Sequence, residues 1–187
     1  MIRRGFDLLA AGVGLVLLSP LLLLIGAAIR LDSPGPALFR QLRVGRWERP
    51  FVILKFRTMV VDGVARGGLL TVPDDPRVTR VGRWLRASKL DELPQLINVL
   101  KGDMSLVGPR PEQPEFVERF RDRYPEYNAR HRVRSGLTGW AQINGLRGDS
   151  SIRQRVIHDL YYIENWSFAL DLKILWRTLR VALHTGH

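Results

Sequence analysis

Leu8-Leu9-Ala10-Ala11-Gly12-Val13-Gly14-Leu15-Val16-Leu17-Leu18-Ser19-Pro20-Leu21-Leu22-Leu23-Leu24-Ile25-Gly26-Ala27-Ala28-Ile29 is a run of 22 residues without a charge. At about 1.5 Å per residue, a helix of that length crosses a hydrocarbon core about 30 Å thick, so the fold is expected to begin in a membrane. Ser19-Pro20 stands near the middle of the run. Proline removes a backbone donor and crowds the preceding turn, and each arm beside it reaches only half-way through the core. Arg3 and Arg4 precede the run, and Arg30, Arg40, Arg43, Arg46 and Arg49 follow it. Arg favours the cytoplasmic side, so both flanks ask for the same side. A re-entrant helix-break-helix anchor over residues 1–31, broken at Ser19 and Pro20, satisfies both. A kinked single span and a cleaved signal peptide are the alternatives, and the Leu run beyond Pro20 fits the latter poorly.

The rest of the chain, 32–187, reads as one domain, giving an α+β fold that is mostly α. Asp32-Ser33-Pro34-Gly35-Pro36 ends the membrane helix. Ala37–Val44 and Phe51–Phe56 read as the strands of a small hairpin joined by residues 45–50. Lys55 and Arg57 bring two cations to the end of the second strand. Val61–Pro76 is Gly- and Asp-rich and reads as a mobile loop. Arg77–Ala87 reads as a basic helix with Arg77, Arg80, Arg83 and Arg86 near one face, either solvated or turned to anionic lipid. Leu93–Leu100 is an apolar helix stopped by Gly102. Glu115–Arg123 and Glu126–Arg134 read as short polar helices, and Gly136–Gly145 as a glycine-punctuated loop. Ser150 and Ser151 cap a helix running to about Glu164. The last helix, Ser167–Leu183, carries Phe168, Leu172, Leu175, Trp176 and Leu179 on one face. That face suits either a membrane interface or the domain core.

The formal charge is +11, which asks for an acidic partner: nucleic acid, anionic lipid or a phosphorylated substrate. Arg supplies nearly all of it, and only Lys55, Lys89, Lys101 and Lys173 are lysines. Arg grips phosphate bidentately, although a GC-rich genome would produce the same bias. Without cysteine there is no disulfide, thiol catalysis or thiolate metal site. His131, His158, His184 and His187 lack the spacing of a metal box.

Chemistry concentrates between Ser88 and Pro111. Asp91 and Glu92 are adjacent, so on a regular helix they diverge by about 100°. A helix start lets them converge, and Ser88 with Asp91 three residues on resembles a capping box. Pro94 suits a first turn. Free backbone N–H groups there would receive phosphate oxygens. One carboxylate can attack phosphorus, while the other can hold Mg²⁺. Pro109, Pro111 and Pro114 stiffen the loop that presents Arg110. From spacing alone, a plain capping or surface role for the acids stays open.

The longer pattern resembles the bacterial sugar transferases, the monotopic polyprenyl-phosphate phosphoglycosyl transferases. It comprises Ser19-Pro20, Lys55-Phe56-Arg57-Thr58-Met59, Leu90-Asp91-Glu92-Leu93-Pro94-Gln95 through Pro111, Thr138-Gly139-Trp140-Ala141-Gln142-Ile143-Asn144-Gly145, and Asp159-Leu160-Tyr161-Tyr162-Ile163-Glu164-Asn165-Trp166-Ser167 through Lys173. The resemblance implies a cytoplasmic-face catalytic domain on the bacterial inner membrane, with amphipathic interfacial helices. It implies Asp91 as nucleophile on the β-phosphate of a UDP-sugar, loss of UMP, and transfer of the sugar phosphate to polyprenyl (undecaprenyl) phosphate. Glu92 would bind Mg²⁺. Arg86, Arg110, Arg147, Lys55, Arg57, Gln142 and Asn144 are its candidates for phosphate and substrate contacts. Leu146 separates Arg147 from Asn144-Gly145, a departure from members with Arg directly after the Gly. The segments 148–152 and 164–167 look more like hexose-1-phosphate transferases, which favours UDP-glucose or UDP-galactose over an acetamido sugar. A homodimer is expected on the same ground and nucleic acid is not. A basic nucleic-acid binder and a non-catalytic membrane scaffold are the competing readings.

Overall fold

The structure, a computed structural model, describes residues 2–63, 72, 75–148 and 150–184, with no side-chain detail beyond Arg180. Most of the expected loop 61–76 therefore lies outside the described residues.

Helix α1 runs Ile2–Asp32 without interruption through Ser19 and Pro20. The expected helix-break-helix is corrected to one helix with a proline inside it. The reason is local: Pro20 lacks the N–H that would bond the Val16 carbonyl, and the Ser19 hydroxyl donates to that same carbonyl at 2.8 Å. The freed acceptor is satisfied, so helical backbone continues.

Strands β1 (Leu38–Val44) and β2 (Pro50–Phe56) form an antiparallel hairpin with Leu38 opposite Phe56 and Val44 opposite Pro50. Helix α2 covers Arg80–Ser88. The Thr79 side chain caps it by accepting from the Gly82 N–H, and Lys89, at φ 61, ends it in the left-handed region. A 3₁₀ turn over Leu90–Glu92 leads into α3, Gln95–Lys101, which Gly102 closes at φ 94. The expected helix and its glycine stop are both present. Strand β3 (Met104–Val107) is followed by α4 (Pro114–Arg123) and a 3₁₀ segment, Tyr127–Arg132. Strand β4 (Ser135–Thr138) pairs parallel with β3. The short helix α5 is Trp140–Ile143; α6, Ile152–Glu164, is capped by Ser151; α7 is Phe168–His184.

Three expectations are corrected here. Residues 136–145 are a strand and a helical turn rather than a loop. Ser88 is at the end of a helix, its hydroxyl donating to the Trp84 and Leu85 carbonyls, so it caps nothing at Asp91. Arg77 precedes α2 and is buried against Asp75, with Nη2 2.6 Å from Oδ2, so it is not on the basic stripe.

The core takes α1 as a member. Ala11 joins Ile53, Leu96, Val99, Met104 and Ile174 in one cluster, and Ile25 and Ile29 join Phe56 and Leu85 in another. Each fully buried Leu or Ile contributes about 1.5–3 kcal/mol. Both ends of α1 are also tied to the domain by polar contacts. Arg3 donates to the Val107 carbonyl and the Tyr162 hydroxyl, and Arg4 to the Val99 and Leu100 carbonyls. Asp7 accepts from the Ser105 hydroxyl and the Leu106 N–H. At the far end Asp32 accepts from the Val81 N–H. Leu9, Val16, Leu17, Leu23 and Leu24 stay exposed along the outer face.

Helix α7 divides its sides. Asp171 and Ile174 are buried, while Phe168, Leu172, Trp176 and Leu179 are exposed. Leu175 packs against the core. The core-packing reading holds for the side with Leu175 and Ile174, and the other side presents an exposed apolar face.

Candidate active site

The site is assembled where α2, the 3₁₀ turn and α3 meet β2 and the proline loop. Lys89 in the left-handed region reverses the chain, so Asp91 and Glu92 fall on a turn with wider angular spacing than an α-helix. Asn98 on α3 sets the register of that turn against β2. Its Oδ1 accepts from the Leu54 N–H at 3.0 Å and its Nδ2 donates to the Val52 carbonyl at 2.7 Å. Lys55, next along β2, thus arrives beside Glu92, with Nζ 2.8 Å from Oε1.

The proline loop supplies the second cation. Gly108 donates to the Thr138 carbonyl and Gly136 to the Pro109 carbonyl, which fastens the loop to β4. A side chain at Gly136 would place Cβ 2.1 Å from the Gly108 nitrogen, so this close approach requires glycine. Arg110 then reaches Glu92, with Nη2 2.5 Å from Oε1 and Nη1 3.3 Å from Oε2.

The two carboxylates are treated differently. Glu92 is gripped by Lys55 and Arg110. Burial alone would raise its pKa, but these two cations win and hold it well below the usual carboxylate range. Asp91 makes no hydrogen bond or ion pair with the described residues. Burial raises its pKa, and the neighbouring Glu92 charge raises it further, against the pull of Lys55, Arg110 and Arg86. Burial lowers Lys55, opposed by Glu92.

Arg86, on the last turn of α2, donates from Nε to the Thr58 hydroxyl at 2.9 Å and lies within the electrostatic reach of Asp91. Arg147 is half-buried and unpaired among the described residues. Burial lowers its pKa, Arg110 lowers it further and Glu92 raises it, which places all three in one electrostatic neighbourhood. Four cations thus surround two carboxylates and leave a surplus of positive charge.

The remaining candidates go elsewhere. Arg57 is buried and donates to the Ser33 carbonyl at 2.7 Å and to the Pro34 carbonyl, so it fastens the turn after α1. Gln142 is buried, its amide donating to the Leu137 carbonyl. Asn144 is exposed and donates to the Trp140 carbonyl. Sequence reasoning missed the supports of the proline loop. Arg130 and Asp159 form a fully buried pair 2.6 Å apart, and Arg130 also donates to the Arg110 carbonyl at 3.0 Å. Arg155 bonds Glu112 at 2.6 Å. Arg155 and Asp159 are four apart on a helix, a spacing that could have marked them as one face.

A Mg²⁺ ion usually keeps several waters and takes one or two carboxylates along with substrate phosphates. Among the described residues no three acids or histidines cluster to hold a metal alone. Glu92 Oε2, with only the longer Arg110 contact, has acceptor capacity left. The residues therefore fit an ion carried mainly by substrate phosphates.

Residues 1–185 match the family model described as bacterial sugar transferase. The chain is 51% identical over 189 residues to a UDP-glucose:undecaprenyl-phosphate glucose-1-phosphate transferase of Caulobacter vibrioides, covering 99% of this chain and 71% of that one. It is 48% identical over 184 residues to a UDP-N-acetylgalactosamine-undecaprenyl-phosphate N-acetylgalactosaminephosphotransferase of Aeromonas hydrophila, covering 97% of this chain. It spans 44% of that relative's length. It is also 41% identical over 198 residues to the exopolysaccharide production protein PSS of Rhizobium leguminosarum bv. phaseoli, covering 97% of that protein.

Proposed function

Because this chain belongs to the bacterial sugar transferase family, we propose that it transfers a sugar 1-phosphate from a UDP-sugar to polyprenyl phosphate through a covalent intermediate on Asp91. The observation that carries the reading is the division of labour between the carboxylates. Glu92 is held by Lys55 and Arg110, chiefly through Oε1, while Asp91 has no partner among the described residues and stands in a cationic setting.

An Asp91 carboxylate oxygen attacks the β-phosphorus of the donor. The bond from that phosphorus to the bridging oxygen breaks, and UMP leaves with the electron pair. Polyprenyl phosphate then attacks the same phosphorus, the bond to Asp91 breaks, and the carboxylate is regenerated. Arg86, Arg110 and Arg147 stabilise the anionic oxygens of each transition state, and their excess over the two acids suits a diphosphate. Mg²⁺ would be held by the donor phosphates and Glu92, where it would neutralise charge on the leaving phosphate.

The anchor is read as re-entrant. A straight helix of this length is about 45 Å long, more than a bilayer core. Yet Arg3, Arg4 and Asp7 at one end and Asp32 at the other contact the same domain. With α1 bent at Pro20, as a proline inside a helix allows, entry and exit by one face would keep that domain in water, on the cytoplasmic face of the bacterial inner membrane, as the flanking arginines favour. The donor is read as UDP-glucose or UDP-galactose for exopolysaccharide-type synthesis, with a UDP-acetamido sugar as the alternative, since relatives of both kinds exist. The test is UMP release in nanodiscs with polyprenyl phosphate, Mg²⁺ and each UDP-sugar in turn. One donor should release UMP; none doing so from folded protein overturns the reading.

A further inference from the structure

Two cation-bearing loops converge on the carboxylates from different parts of the chain, and one side chain touches the frame of both. Arg110 is on the proline loop; Arg147 is in a turn where Ser150 donates to the Arg147 carbonyl. Arg155 of α6 is buried between these loops. Its Nη1 donates to Glu112 Oε1 at 2.6 Å, two residues beyond Arg110. Its Nη2 donates to the Gly148 carbonyl at 2.6 Å and the Ser150 carbonyl at 3.4 Å, on the other side of Arg147. One turn further along α6, Asp159 holds Arg130, which grips the Arg110 carbonyl. Arg43 adds a bond to the Pro111 carbonyl from β1.

Arg110 and Arg147 repel one another, and among the described residues Glu92 lies close enough to both to offset part of that. Left to themselves, the two loops would separate to relieve like charge. The planar fork of Arg155 opposes the separation by bonding a carboxylate on one loop and carbonyls on the other at once. We infer that Arg155 is a positioning residue that sets the Arg110–Arg147 spacing, and so makes a bidentate seat for the donor's diphosphate. The inference rests on the proposed phosphate-handling function.

The test uses inorganic pyrophosphate binding to the full chain in nanodiscs, followed by calorimetry, with no turnover needed. Arg155→Met should weaken binding about tenfold or more, as misplacement of a binding group does. If Arg155 acts through Arg147, the double variant Arg155→Met/Arg147→Met should bind no worse than Arg147→Met alone, and the losses should not add. Amide exchange at Leu146, Arg147 and Ser150 should accelerate in Arg155→Met without ligand. Arg155→Lys separates positioning from plain stability, because a single ammonium lacks the fork that spans both loops. Its melting temperature should recover while its affinity stays low. Additive losses, wild-type affinity in Arg155→Met, unchanged exchange, or full recovery in Arg155→Lys would overturn the inference. Failure of the wild-type protein to bind pyrophosphate would instead overturn the phosphate-site reading and the inference with it.

Discussion

The Arg110 guanidinium holds both oxygens of Glu92, 2.5 Å from Oε1 and 3.3 Å from Oε2. The pair is partly buried, and removing one partner leaves the other less well compensated. Arg110→Met is therefore expected to lower stability by about 1–3 kcal/mol, less than a lone pair would lose because Lys55 remains on Glu92. Turnover is expected to fall about 100-fold or more from the lost phosphate contact. Denaturant unfolding and UMP release measure the two effects separately.

Turnover is expected to depend on the ionisation of Asp91. Its pKa lies above the ordinary carboxylate value because of burial and Glu92, with Lys55, Arg110 and Arg86 opposing. Only the ionised form attacks, so rate rises as pH rises through that pKa and is lost below it. Arg86→Met removes one of the opposing cations and should move the acid limb to higher pH. A pH–rate profile of both proteins decides this; a shift to lower pH contradicts the assignment.

Gly82 is expected to resist even Ala. An added Cβ would be 2.1 Å from the Thr58 carbonyl oxygen, a backbone atom. Relief requires moving Thr58, whose hydroxyl receives Arg86. Gly82→Ala should cost about 1–3 kcal/mol by overpacking, and should lower activity along with stability. Thermal unfolding and UMP release report both.

The chain's lack of cysteine allows clean labelling of its topology. Ile2→Cys and Val61→Cys sit at exposed positions. If α1 enters and leaves by one face, both should be shielded from an impermeant thiol reagent added outside intact cells. Opposite accessibility would show a span. Replacing Pro20 with Leu restores the donor to Val16 and should shift the protein toward spanning.

The sequence made legible what local chemistry decides. The hairpin follows from β-rich runs on either side of residues 45–50, and α3 from its apolar pattern and Gly102. The parallel pair β3–β4 was not legible. Each strand has four residues, the partner is remote in the chain, and Gly136 reads as a turn residue although close packing against Gly108 is its reason. The motif around Asp91 and Glu92 identified the acids but not the split between a pinned and a free carboxylate, which depends on Lys55 and Arg110 arriving from elsewhere. Arg57 and Gln142 belong to the same motifs, yet they satisfy backbone carbonyls. Residue type and spacing do not distinguish a cation that meets substrate from one that meets a carbonyl.

The central claim is the covalent step at Asp91. The most direct measurement is intact-protein mass spectrometry after mixing the purified protein with Mg²⁺ and its UDP-sugar donor, with polyprenyl phosphate withheld. A mass gain equal to one sugar phosphate is expected, mapping to Asp91 in peptides, absent from Asp91→Asn and discharged when polyprenyl phosphate is added. UMP release without any adduct, or an adduct that persists in Asp91→Asn, would contradict the account.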